Sequence, residues 1–146
     1  MPCFKNAQEI NEISLLDRAF HYGDGCFSTA RVRHGKIELE HLHMARLHLS
    51  CERLLLKADL SLIQKSLALL QQQFLEVNGT LKIIISRGEG QRGYSLPDHP
   101  SDVWVFFYPK VVDDFQVEKI KSGVLQQALG LTMPSLVGLK SLNRLE

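Results

Sequence analysis

The period of apolar and polar positions changes several times along this chain, and each change marks an element. Over residues 26–33 bulky apolar and polar side chains alternate loosely, and His34-Gly35-Lys36 supplies a turn before Ile37-Glu38-Leu39, which together predict a β-hairpin. From residue 40 to about residue 56 no glycine or proline intervenes, and Leu42, Ala45, Leu49 and Arg53 recur on one face at helical spacing. A second helix follows, with Asp59 as its cap, Leu60, Ile63, Leu67, Leu70 and Phe74 as its apolar stripe, and Asn78-Gly79 as its stop. Each helix is expected to lay its stripe on a sheet. "TLKIIISR" then reads as a buried strand, residues 88–102 as a long loop, and "VWVFFYP" as another strand. A further strand is expected within residues 116–129, and Lys140, two residues after Gly138, opens what reads as a helix. The segment up to Ser14 is mixed. Strand, hairpin, two helices and more strands make an α+β layout with an antiparallel or mixed sheet, not a regularly alternating βαβ array. The boundaries that follow are a small α+β domain over 1–110, a linker over 111–118, and the start of a second domain over 119–146.

Composition narrows the class. A chain of 146 residues can bury roughly 68–70% of its unfolded surface, enough for a core. With 45% hydrophobic and 23% charged residues it has a globular composition, and a formal charge of +1 gives no overall field toward nucleic acid or membrane. The longest apolar run, residues 103–108, is too short to span a bilayer, and the opening residues lack a secretory pattern, so a cytoplasmic location is the expectation. Three widely spaced cysteines, Cys3, Cys26 and Cys51, suit neither a disulfide framework nor a zinc cage and read as reduced thiols.

Several motifs invite chemistry. Gly88, Gly90 and Gly93 match the dinucleotide fingerprint, but Tyr94, Pro97 and Pro100 follow where that fingerprint needs a helix N-terminus, so the stretch reads as a loop. Its arginines, Arg87 and Arg92, have the planar fork that grips a carboxylate. His41, His43 and His48 are not spaced to share a metal and read as surface or boundary side chains; no metal site is expected. Asp113 and Asp114 adjoin in the linker and read as solvated. Arg46, set between apolar neighbours on the first long helix, can snorkel along a packed face or clamp a phosphate. Lys140 has an amine that can condense with an aldehyde cofactor.

Taken together, "DRAFHYGDGCFSTARV", "HMARLHLS", "SRGEGQRGY" and "GLKSLNRLE" resemble, in order and spacing, the fold-type IV pyridoxal-phosphate enzymes. That family includes branched-chain and D-amino-acid aminotransferases and aminodeoxychorismate lyases, and the wording here is nearest to the lyase branch. The resemblance implies pyridoxal 5'-phosphate as cofactor, with Lys140 carrying it and acting as the catalytic base, and Arg46 binding its phosphate. It implies that Arg92 and Tyr94 hold a substrate carboxylate, that Phe27, Ser28 and Thr29 lie on the strand facing the cleft, and that Asp17, Arg18, Gly23, Asp24 and Gly25 form a structural turn. It also implies a homodimer acting on a small molecule, with no nucleic-acid or membrane partner.

Two departures bear on which activity is implied. Many aminotransferases carry an acidic residue where this chain has Ser28, which favours conversion of 4-amino-4-deoxychorismate to 4-aminobenzoate and pyruvate over transamination. Family members also run on into a second domain that completes the cofactor site. The 146 residues are therefore expected to be an N-terminal part, inactive alone, and a non-catalytic binding module is the reading of another class.

Overall fold

Alternation of buried and half-buried residues shapes the centre of this fold, shown by a computed structural model that describes residues 1–111, 119–123 and 136–143. The chain forms β1 (Cys3–Lys5), β2 (Gln8–Glu9), α1 (Arg18–Tyr22), β3 (Gly25–Arg33), β4 (Lys36–Ile37), α2 (Glu40–Leu54), α3 (Ser61–Gln73), β5 (Gly79–Ser86) and β6 (Asp102–Pro109). The strands make one six-stranded sheet in the order β2-β1-β6-β5-β3-β4, and every pairing is antiparallel. In β5, Leu81, Ile83 and Ile85 are fully buried while Lys82 and Ile84 are half-buried, so the near-continuous apolar run of the sequence still has two distinct faces. The same parity puts Cys26, Ala30 and Val32 of β3 and Val103, Val105 and Phe107 of β6 in one core with Leu47 of α2 and Ile63, Leu67 and Leu70 of α3. Phe74, at the end of α3, meets Phe107 edge-on, with ring centroids 5.5 Å apart.

The hairpin, both long helices and the two central strands stand where the periodicity predicts them. The apolar stripe predicted for α3 is the one it buries. On α2 the expectation fails: Leu42 and Leu49 are 55% and 48% exposed, and the buried residues are Leu47, Ser50 and Cys51. The buried row also has helical spacing, but a serine and a cysteine disguise it; Ser50 is admitted because its Oγ donates to Arg46 O at 2.8 Å. The N-cap position of α3 is Leu60, and Asp59, one residue earlier, accepts from Ser61 N at 3.0 Å; the helix stops at Gln73, ahead of Asn78-Gly79. Two short strands and the five-residue α1 escape the periodicity because they are too brief to show any. The expected linker, Asp113 and Asp114 fall at residues of which 112–118 lie outside the described residues; the strand expected within 116–129 is described only at 119–123, which are not strand. All three cysteines are buried and free.

The turn before β3 is held by charge. Asp17 caps α1, accepting from Ala19 N at 2.8 Å, and accepts from Ser86 Oγ at 2.5 Å, while Gly23 closes the helix at φ 61°. Asp24 then receives Arg18 Nε at 2.9 Å and Arg87 Nε at 2.9 and 3.0 Å on its two oxygens. Arg87 continues to the last carbonyls of α2, Leu54 O at 2.7 Å and Leu55 O at 3.0 Å, and Arg18 to Gly93 O at 3.0 Å. One carboxylate thus joins the start of β3, the end of α2 and the long loop. Burial would raise the Asp24 pKa, but the hydrogen bonds and charges of Arg87 and Arg18 outweigh it and hold the group below its ordinary range.

Across the same loop, His99 Nδ1 lies 2.8 Å from Pro100 O and Nε2 lies 2.8 Å from Glu89 O. A carbonyl only accepts, so both contacts are made at once only when both ring nitrogens carry hydrogen. The two backbone bonds, aided by Asp102 and opposed by slight burial and Lys5, push the His99 pKa up.

Asp24→Ala is expected to cost about 3–5 kcal/mol in urea unfolding, because it leaves two little-exposed guanidinium groups without their shared partner. Its folded pKa is depressed, so the contribution stands above the unfolded carboxylate range and is lost as pH falls through the lower folded value; the variant should lack that acid limb. For His99 the sign is opposite. The clasp is present below the ordinary histidine range and fades as pH rises through the raised folded value, so amide protection across residues 88–100, corrected for intrinsic exchange, should fall along the same curve as the His99 ring shift and be flat in His99→Ala.

Candidate active site

β3 pairs with β5 along one edge from Gly25 to Val32, and its other edge pairs with β4 only at Val32 and Arg33. An open strand edge offers unpaired N–H and C=O groups. Residues 140–142 take them: Phe27 N donates to Lys140 O at 2.9 Å, Leu142 N donates to Gly25 O at 3.0 Å, and Ser141 stands opposite Cys26. Leu139, 1% exposed, anchors the approach. Lys140 is therefore in an extended segment docked on the sheet and not at the start of a helix; the hydrogen bonds of the β3 edge override the local helical pattern. Because Ser141 pairs with Cys26, Lys140 takes the other parity with Phe27, and its Nζ lies 4.7 Å from the centroid of the Phe27 ring.

Gly25 makes this docking possible. A Cβ there would come within 2.1 Å of Ile85 O on β5 and 2.9 Å of Leu142 Cδ1, so only glycine lets both neighbours close on the strand.

Ser28 is fully buried on the helix-facing side of β3. From α2, Arg46 Nη2 donates to Ser28 Oγ at 2.6 Å and to His43 Nδ1 at 3.1 Å, and Ser28 Oγ lies 2.8 Å from the same Nδ1. Arg46 Nε is buried and has no hydrogen-bond partner among the described residues. A buried donor left so costs about 1–3 kcal/mol, more when charged, unless an acceptor arrives. Burial first, then the charges of Arg46 and Lys140, hold the His43 pKa below the ordinary histidine value. A guanidinium, a hydroxyl and an imidazole thus meet between β3 and α2, and the charge of Lys140, on the docked segment, is felt at the imidazole.

The residues expected to form the site are divided by this geometry. Arg46, Ser28, Phe27 and Lys140 gather around β3. Thr29 is exposed on the Phe27 side, so Phe27, Ser28 and Thr29 do not line one face: the strand's period of two turns Ser28 toward α2 and the other two away from it. Tyr94 is 90% exposed, and among the described residues no hydrogen bond or ring contact joins Arg92 or Tyr94 to Lys140 or Arg46. Their loop is pinned instead to α1, where Gly93 N donates to Tyr22 Oη at 3.2 Å. The turn residues Asp17, Arg18, Gly23, Asp24 and Gly25 are structural, as expected. His43 was expected at the surface or boundary and is half-buried; the expectation did not include its partnership with Arg46 and Ser28. The signal that reveals it is its spacing from Arg46, three positions along one helix face, and not its spacing from the other histidines. No cluster of metal ligands exists among the described residues, and none of their helices is long and apolar enough to cross a membrane.

A phosphate-bearing aldehyde suits these groups: the orphaned guanidinium donor and neighbouring charge suit a phosphate, and the Lys140 amine suits an aldehyde. The chain is 32% identical over 137 residues to an aminodeoxychorismate lyase of Vibrio harveyi, covering 92% of this chain and 50% of that protein. The crystal structure of a 4-amino-4-deoxychorismate lyase from Pseudomonas aeruginosa superposes with a TM-score of 0.66 at 35% identity, over 73% of this chain and 39% of the other. The PLP-bound form of a hypothetical aminotransferase from Mycobacterium tuberculosis gives 0.59 at 24% identity, over 75% and 39%, a likeness of fold. The chain spans about half the length of the curated relative it matches. The profile of amino-transferase class IV, whose enzymes depend on pyridoxal phosphate, matches residues 25–146, and the chain belongs to that family.

Proposed function

We propose that this chain contributes Lys140 and Arg46 to an aminodeoxychorismate lyase, which converts 4-amino-4-deoxychorismate to 4-aminobenzoate and pyruvate. The observation that carries the reading is the buried, unpartnered Nε of Arg46, an arginine bonded to the same strand on which Lys140 is docked, in a chain related to such lyases. Residues 1–110 form the small domain in this reading, residues 111–118 the linker, and residues 119–146 the start of the larger cofactor-binding domain, which the rest of the protein would complete.

Pyridoxal phosphate, when bound, supplies an electron sink for the amine-bearing carbon of the substrate. Arg46 holds the phosphate, so the aldehyde end cannot drift from Lys140. The Lys140 amine removes the proton from the amine-bearing carbon. The bond between the ring carbon and the enolpyruvyl oxygen breaks, the leaving group takes up a proton to become pyruvate, and the ring becomes aromatic. Ser28 supports this reading over transamination by the same fold. Many aminotransferases carry an acidic residue at that position, whereas here a neutral hydroxyl receives the Arg46 hydrogen bond.

Borohydride reduction of the protein with pyridoxal phosphate, followed by peptide mapping, should place the label on Lys140. Lys140→Ala should remove the label and lower release of 4-aminobenzoate and pyruvate by about 10²–10⁴-fold. Accumulation of the pyridoxamine form with an amino acid, with no pyruvate from aminodeoxychorismate, would assign transamination instead.

A further inference from the structure

His43 and Ser28 have no part in the chemistry above, yet they make the closest contacts to the guanidinium that the site depends on. Arginine has donors only, so at 2.6 Å from Arg46 Nη2 the Ser28 oxygen must accept. Its own hydrogen is then free to go to His43 Nδ1, 2.8 Å away. Nδ1 also lies 3.1 Å from Nη2, so it faces two donors and serves both only as a bare acceptor, with the imidazole neutral and its hydrogen on Nε2.

Resting on the phosphate reading of Arg46, we propose that His43 and Ser28 are positioning residues: a neutral Nδ1 and a buried hydroxyl fix the plane of the Arg46 guanidinium, so that its unpartnered Nε is held ready for the phosphate. Planarity makes this effective, because fixing Nη2 fixes the direction of Nε–H as well. Protonation of His43 would undo it. A hydrogen on Nδ1 would oppose Nη2, setting one cation against another at 3.1 Å, and would turn the Ser28 hydroxyl from donor to acceptor at the ring. The charged groups that face His43 are Arg46 on its own helix and Lys140 on the docked segment. Both are cationic and, with burial, favour the neutral ring, so the device is set at neutral pH and releases only in acid.

The test compares binding of pyridoxal 5'-phosphate with binding of pyridoxal, which lacks the phosphate, so that their affinity ratio isolates the Arg46 end. His43→Ala should lower the ratio about ten-fold, the scale of one lost hydrogen bond to a charged group. His43→Asn, whose amide oxygen can stand where Nδ1 stands, should keep the ratio within about two- to three-fold of wild type. The wild-type ratio should fall in acid relative to His43→Asn at the same pH, a comparison that cancels the ionisation of the phosphate itself. In the ligand-free protein, ¹⁵N NMR should find His43 with its hydrogen on Nε2 at neutral pH. A wild type that does not discriminate the two ligands overturns the phosphate reading. Discrimination by wild type with an equal ratio in His43→Ala, failure of His43→Asn to rescue, no difference in pH profile, or hydrogen on Nδ1 overturns the role of His43. If His43→Ala does not fold, the His43→Asn profile and the NMR result still decide.

Discussion

The site depends on β3 having two edges and two faces in use at once. One edge is committed to β5, which leaves the other for the segment that carries Lys140. One face carries Ser28 down to α2, and the other offers the Phe27 ring to the lysine. A strand buried on both edges by long neighbours could not accept Lys140, and a helix in its place could not separate Ser28 from Phe27 by a single residue. The lysine and the arginine, 94 positions apart in the chain, are brought to one strand because each contacts one of two adjacent residues, Phe27 and Ser28.

The charged turn ahead of β3 supports that arrangement from outside it. Asp24 draws Arg18 and Arg87 together, and those two guanidinium groups reach on to the loop and to the end of α2. The helix that presents Arg46 is thereby tied at its far end to the strand that presents Ser28. Packing of Leu47 and Cys51 against the sheet fixes the distance between them, and the ion pairs resist sliding along it. A dispersed core alone, made of non-directional contacts, would set the first of these and not the second.

Much of this was readable from residues alone, for reasons that can be named. The hairpin was legible through His34-Gly35, α3 through five apolar residues at one spacing, and β5 and β6 through runs of β-branched and aromatic side chains. Lys140 and Arg46 were singled out through the order of four motifs, which carries information that no single residue type does. The failures share a cause: each involves a polar residue whose role is set by a distant partner. Ser50 and Cys51 disguised the buried side of α2, and Ser28 took the opposite face from its neighbours because β3 alternates. His43 looked like one surface or boundary histidine among several until Ser28, fifteen residues away, gave it a partner. The docked conformation of Lys140 was equally invisible, since its hydrogen bonds go to a strand more than a hundred residues earlier.

Gly25 sets a price on variation that its neighbours do not share. The backbone of β5 closes upon it from one side and the Leu142 side chain from the other, so the smallest possible side chain would have to displace both a carbonyl of the sheet and the leucine two residues after Lys140. No compensating change in a remote side chain can relieve the first of these, because the obstruction is main chain. In any library of variants of this protein, position 25 should therefore stand as a silent column, recording how narrowly the framework and the docked segment are fitted to one another.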